Sequence, residues 1–415
     1  MGLALRVLLG LGAGLTVGGV VGLWGHPWAV ASVEWVRPLG QLWVNAIRMT
    51  VIPLVVGLLV VGVASVRDIA ALGRVGGQAL LLFGASVVLS STLAVAVAAP
   101  VLARLRIDAA ATAGLRAQAG VGEPTSAELS LSLSDWVIGL IPVNPVAAAA
   151  DGSLLPLIVF TIAFGTATSQ IPEVLRLQVV GFFEGVVEAM LTLVRWILEA
   201  APIGVFALAL PLSLNLGIGA AGALLTYIAL VAALCVLIMG LLYPVGAILG
   251  KTGFQQFARA AAPAQGVGFS ARSSLAALPL LIENAGATLR LPSTVGGVFL
   301  PFAVSIFRIT APVGIVVGTL FLAQLYGVNL ETTQLVSVGA LAALLSFTVP
   351  GIPGGSILIM VPALLAAGVP VEGVGILLAV DTIPDMFRTA GNVTAHMALA
   401  TLLGRTSGPA EENGG

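Results

Sequence analysis

The chain has 415 residues, of which 59% are hydrophobic and only 8% charged. Soluble domains carry about 25% charged residues, so a soluble fold is excluded. The net charge of -1, with basic residues scattered singly, offers no field for nucleic acid. One cysteine, Cys235, and two histidines, His26 and His396, are too few for a disulfide framework, a thiolate metal site or a histidine cluster. No cofactor is expected, no resident metal and no catalytic group.

Runs of about 20 apolar residues suffice to cross a bilayer. The sequence predicts spans near 4–24, 41–65, 78–103, 136–170, 181–211, 219–249, 295–324 and 372–403. The first, although it follows Arg6 like a leader, lacks an A-x-A-like cleavage site and precedes many equally apolar segments, so it reads as a span. Two further segments, near 257–287 and 335–367, are interrupted at Ser273 to Pro279 and Pro350 to Ser356, and read as helical hairpins with non-helical tips. Irregular backbone inside a bilayer is tolerated only against protein or a water-filled cavity, so each break marks a pathway. Hairpin, span, hairpin, span from about 257 to 403 forms two similar units, a pattern that points to a transport site near the midplane. Arg6, Arg67, Arg74, Lys251, Arg259 and Arg405 favour an inside N-terminus, while Arg104, Arg106 and Arg116 run against it.

Ionisable residues inside spans concentrate near the C-terminus. Asp381, Asp385, Arg388, Asn392 and His396 fall along one stripe of a helix. Charges in a membrane face a cavity or a partner, so the stripe is a candidate site or a self-satisfied network. Arg388 offers a fork of donors for a carboxylate, Asp385 can accept from an ammonium group, and Asn392 can donate to a second carboxylate. Together these match aspartate or glutamate. Arg308 is a second embedded cation, and Ser273 and Ser274 stand at the first hairpin tip.

The chain resembles the glutamate transporter family, the dicarboxylate/amino acid:cation symporters, over nearly its whole length. The resemblance rests on Arg48-Met-Thr-Val-Ile-Pro-Leu54, Ile141-Pro-Val-Asn-Pro145, Leu155-Pro-Leu-Ile-Val-Phe160 and Ala201-Pro-Ile-Gly-Val-Phe-Ala-Leu208. It continues through Arg272-Ser-Ser-Leu-Ala-Ala-Leu-Pro279, Gly351-Ile-Pro-Gly354 and Asp381-Thr-Ile-Pro-Asp-Met-Phe-Arg-Thr-Ala-Gly-Asn-Val-Thr394. It implies an all-α polytopic membrane protein with eight transmembrane helices, two re-entrant hairpins and inverted repeats, working as an elevator-type transporter in a homotrimer within the cell inner membrane. Residues 1–75 and 136–212 would form the scaffold. Residues 76–105 and 213–404 would form the transport domain, with 106–135 an external loop and 405–415 a disordered tail.

The resemblance further implies that Arg388 binds the side-chain carboxylate of the substrate and Asp385 its ammonium, with Thr389 and Asn392 completing the contacts. Backbone around Ser273, Ser274, Ile352 and Gly354 would hold the main-chain carboxylate. The second tip, Pro350, Gly351, Ile352, Pro353, Gly354, Gly355 and Ser356, would be the gate.

The departures concern sodium. The family's Asn-Met-Asp-Gly-Thr signature aligns with Phe307-Arg-Ile-Thr-Ala311, and a late sodium-ligating aspartate aligns with His396. Sodium prefers oxygen ligands, which Phe307, Ile309 and an imidazole do not supply. The expectation is sodium-independent transport, with Arg308 standing for a bound cation beside Asp385 and Asp381. The alternatives are proton symport of acidic amino acids or C4-dicarboxylates through His396, an anion channel lined by the charged stripe, and, least supported, an intramembrane enzyme. The partners expected are an acidic amino acid, membrane lipid and two further copies of the chain.

Overall fold

A computed structural model describes residues 3–64, 74–105, 138, 141–151, 154–216, 219–292, 295–349 and 354–406. Among the described residues the structure is helical, without a strand. The helices are α1 (Leu3–Trp24), α2 (Pro27–Ala64), α3 (Arg74–Leu102), α4 (Pro145–Ala150), α5 (Leu154–Thr168), α6 (Glu173–Glu199) and α7 (Ala201–Leu216). They continue with α8 (Gly219–Pro244), α9 (Phe254–Ala271), α10 (Ser274–Ala287), α11 (Leu300–Ile306), α12 (Ala311–Leu325) and α13 (Thr332–Leu345). The chain closes with α14 (Gly355–Ile359), α15 (Val361–Ala366), α16 (Gly373–Val380) and α17 (Thr382–Thr406). Five helical stretches among the described residues are long and apolar enough to cross a membrane: 27–64, 77–102, 173–199, 222–249 and 295–325.

Between helices as apolar as lipid there is no hydrophobic gain, so packing rests on close approach and hydrogen bonds. On α1, Gly10, Gly14 and Gly18 recur every fourth residue against α7. A Cβ on Gly10 would lie 2.3 Å from the Pro202 carbonyl oxygen, and one on Gly18 2.2 Å from that of Leu210. Helices α6 and α7 pack in turn on α2, where the Trp43 indole donates to the Ile197 carbonyl at 2.8 Å. In the C-terminal half, α12 is buried on nearly every side. The helix α17 packs against α8, α9 and α10.

Several predicted boundaries move. The helix α2 starts at Pro27 rather than 41, and α6 at Glu173 rather than 181, because charged residues near their starts, Glu34 and Arg37 in α2 and Glu173 and Arg176 in α6, dilute the apolar signal that located them. The stretch 136–170 resolves into α4 and α5, and 181–211 into α6 and α7 around Ala200. The first hairpin breaks only at Arg272 and Ser273, with Pro279 inside α10. The stretch 295–324, expected as one helix, is interrupted at Phe307–Thr310.

Candidate functional site

The stripe on α17 begins at Asp381, where α16 gives way to α17 without loss of register: the Asp385 amide donates to the Asp381 carbonyl at 2.8 Å. Arg388, 2% exposed, donates through one nitrogen, Nη2, to Asp381 Oδ2 at 2.7 Å and to Asp385 Oδ1 at 3.1 Å. Its Nε and Nη1, Asp381 Oδ1 and Asp385 Oδ2 are buried with no hydrogen-bond partner among the described residues. Buried polar atoms are costly unless matched. The two carboxylates and one guanidinium therefore hold each other while two of the four oxygens and two of the three nitrogens stay open.

The break between α11 and α12 follows from local chemistry. Pro312 lies in the first turn of α12, where its missing N–H costs nothing, and the segment before it leaves the helix at Phe307 (φ -97°, ψ 124°). The freed backbone groups need partners from the protein. The Ser90 hydroxyl of α3 donates to the Ile309 carbonyl. Asn392 Oδ1 accepts from the Thr310 amide at 3.0 Å and from its hydroxyl at 2.9 Å. The fully buried His396 places Nε2 2.8 Å from the Phe307 carbonyl oxygen. The Phe307 ring stacks on Phe83, centroids 4.2 Å apart and planes at 11°.

Arg308 projects from this segment toward α17. Its Nη1 donates to the Ser305 carbonyl at 3.1 Å, and the guanidinium lies in the field of Asp385. Facing it is the first hairpin tip, where α9 ends on Arg272 in the left-handed region (φ 51°) and Ser273 caps α10 by accepting from the Ala276 amide at 3.3 Å. On the second hairpin, Gly354 (φ 76°) precedes α14. These elements enclose one cavity. Arg272, Ser273, Ser274 and Leu275 form one wall, Val349, Gly355 and Ser356 another, and Arg308 with Asp385, Arg388, Thr389 and Asn392 the base.

The structure thus brings Arg388, Asp385, Thr389, Asn392, Ser273, Ser274, Arg308, Gly355 and Ser356 to one cavity. Asp381 pairs with Arg388, and His396 lies along α17 beneath Phe307. Pro350, Gly351, Ile352 and Pro353 lie outside the described residues, as do 106–135 and the tail beyond 406. Arg272 and Thr310 were not singled out from sequence as site residues. A lone cation between two apolar hairpin arms was the available signal for Arg272.

A hard cation requires several free oxygen ligands. The backbone oxygens of Phe307 and Ile309 already accept from His396 and Ser90, and the side chains at 307, 309 and 396 supply no oxygen. The residues at this position do not fit sodium.

The profile of the sodium:dicarboxylate symporter family matches residues 3–406. A proton/sodium-glutamate symport protein of Bacillus caldotenax is 28% identical over 422 residues, covering 100% of this chain and 97% of that protein. A proton/glutamate-aspartate symporter of Escherichia coli K12 is 28% identical over 91% of this chain and 85% of its own length. A C4-dicarboxylate transport protein of Rhodopseudomonas palustris is 29% identical over 95% and 85%. With its apolar spanning helices and a polar cavity enclosed by broken ones, the chain belongs to the sodium:dicarboxylate symporter family, and is a multi-pass membrane transport protein rather than an enzyme.

Proposed function

We propose that the protein carries acidic amino acids, aspartate or glutamate, across the cell inner membrane without sodium. The observation that carries this reading is the closed segment at 307–310. His396 and Ser90 occupy the carbonyls that a cation would use, and Arg308 brings a fixed positive charge to the cavity beside Asp385. In this reading the open edge of Arg388 receives the side-chain carboxylate and Asp385 Oδ2 the ammonium group. Asn392 would donate through its amide nitrogen, because its oxygen already holds Thr310. Thr389 and the tip backbone at Ser273, Ser274, Ile352 and Gly354 complete the pocket.

The wider architecture is part of the same reading. Eight spans and two re-entrant hairpins form inverted repeats, with residues 1–75 and 136–212 as scaffold in a homotrimer. Residues 76–105 and 213–404 move as an elevator, gated by 350–356. The named relatives, symporters of glutamate, aspartate and C4-dicarboxylates, support the substrate class. The test is aspartate binding to purified protein in choline and in sodium chloride. Equal affinity in both supports the reading, and a strict sodium requirement refutes it.

A second reading, proton symport through His396, is favoured by one observation: Nδ1 is buried with no partner among the described residues. Uptake that follows an inward proton gradient, and loses that response in H396N, would establish it.

A further inference from the structure

The buried charges of the cavity base and of Asp381, which pairs with it, cancel. Arg308 is 7% exposed, Asp381 3%, Asp385 8% and Arg388 2%, two cations against two anions. Among the described residues the one other buried ionised side chain is Arg176, in the first turn of α6 and away from this cluster. His396 makes a single bond, through Nε2 to a carbonyl, which asks for one N–H. A neutral imidazole supplies it and adds nothing to the sum. Arg272, half-buried at the tip and lining the same cavity, is the further cation that faces this cluster, and it stands outside the sum of fully buried charges.

An unloaded site of zero net buried charge can cross a low-dielectric region with no ion to accompany it. When an acidic amino acid of net charge -1 enters, no buried cation remains unbalanced to neutralise it. Resting on the sodium-independent reading above, we infer that this protein is driven by the membrane potential in the outward direction. Each turnover moves one negative charge with the substrate, so an inside-negative membrane exports acidic amino acid rather than accumulating it. The charge moved per completed cycle equals that of the substrate whichever half-cycle senses the field, so Arg272 alters the rate-limiting step and not the direction. One elementary charge across 100 mV corresponds to about a fiftyfold ratio at equilibrium. The cells this carrier suits are ones in which a reaction produces acidic amino acid in excess.

The test uses proteoliposomes of the full chain, free of sodium, at equal pH on both sides, with potassium and valinomycin setting the potential and labelled L-aspartate as probe. The inference expects an inside-negative potential to empty the vesicles and an inside-positive one to load them, approaching about fiftyfold at 100 mV. Counterflow at zero potential is measured alongside. Counterflow with a distribution that ignores the potential overturns the inference and leaves the substrate reading standing. So does accumulation against an inside-negative potential that an uncoupler abolishes. Absence of counterflow by aspartate and glutamate removes the substrate reading and this inference together.

Discussion

His396 Nε2 lies 2.8 Å from the carbonyl oxygen of Phe307, whose ring covers Phe83 face to face at 4.2 Å. The bond joins the middle of α17 to the break between α11 and α12, and seals it with a donor built into the chain. A carbonyl freed by a helix break in a membrane must find such a donor or a cation. The stacked rings occupy the volume beside it.

This relationship predicts the outcome of His396→Asp. The new carboxylate would face the Phe307 carbonyl in a fully buried position and destabilise the fold by several kcal/mol unless a cation bridges the two oxygens. The variant should therefore melt lower than the parent in choline chloride and recover in sodium chloride. A site filled to a hundred times its Kd contributes about 2.7 kcal/mol. The parent should melt at the same temperature in both salts. A variant indifferent to sodium would show that the pocket around Phe307 cannot open.

Removing the cation, Arg308→Met, should weaken aspartate binding at least tenfold, about 1.4 kcal/mol. Arg388 alone would then face two aspartates, Asp385 in the cavity base and Asp381 beside it, and an anionic substrate would enter a negative site. Titration calorimetry in sodium and in choline chloride reads this directly, with the loss expected to be equal in both. An unchanged affinity would place the Arg308 charge outside the binding equilibrium.

The stripe from Asp381 to His396 was legible because five polar residues at helical spacing cannot face lipid, and the structure joins three of them in the Asp381–Arg388–Asp385 network. The break at Phe307–Thr310 was hidden by its composition. Phe307 and Ile309 are apolar, so the run from 295 to 324 reads as one helix, and Pro312 directly after the break is a weak hint of an interruption. Likewise α6 begins within a charged stretch that hydropathy assigns to a loop. Apolar periodicity reports what a segment buries, but a break made by backbone hydrogen bonds to Ser90, Asn392 and His396 depends on residues far away in the chain.

Asp385→Asn separates two roles of one side chain. Oδ1 braces Arg388, while Oδ2 is open and buried. If Oδ2 receives an ammonium group, the substitution should cost aspartate about 2 to 5 kcal/mol of binding, the scale for truncating a buried charge pair. Succinate, with two carboxylates and no ammonium, should lose far less. Competition of both compounds against labelled aspartate in parent and variant decides this. An equal loss for both would mean that Asp385 acts only by orienting Arg388.

Gly314 of α12 sets the depth of Arg388. A Cβ there would stand 2.7 Å from Nη1 and 3.2 Å from Cδ, closer than side-chain contacts allow, and the guanidinium is pinned on its other side by the 2.7 Å bond to Asp381. In Gly314→Ala either that bond lengthens or α12 shifts. Overpacking of this kind costs about 1–3 kcal/mol, partly offset by the roughly 1 kcal/mol that alanine gains over glycine inside a helix. The net loss of stability should be small, but aspartate affinity should fall about tenfold, because the carboxylate-binding edge of Arg388 is displaced. Gly240→Ala in α8 is the control. No atom lies within 4 Å of a Cβ at that position, so it should show the propensity gain and an unchanged affinity. Parallel melting and aspartate titration of the two variants checks both halves, and an equal response in affinity would mean that the depth of Arg388 does not govern binding.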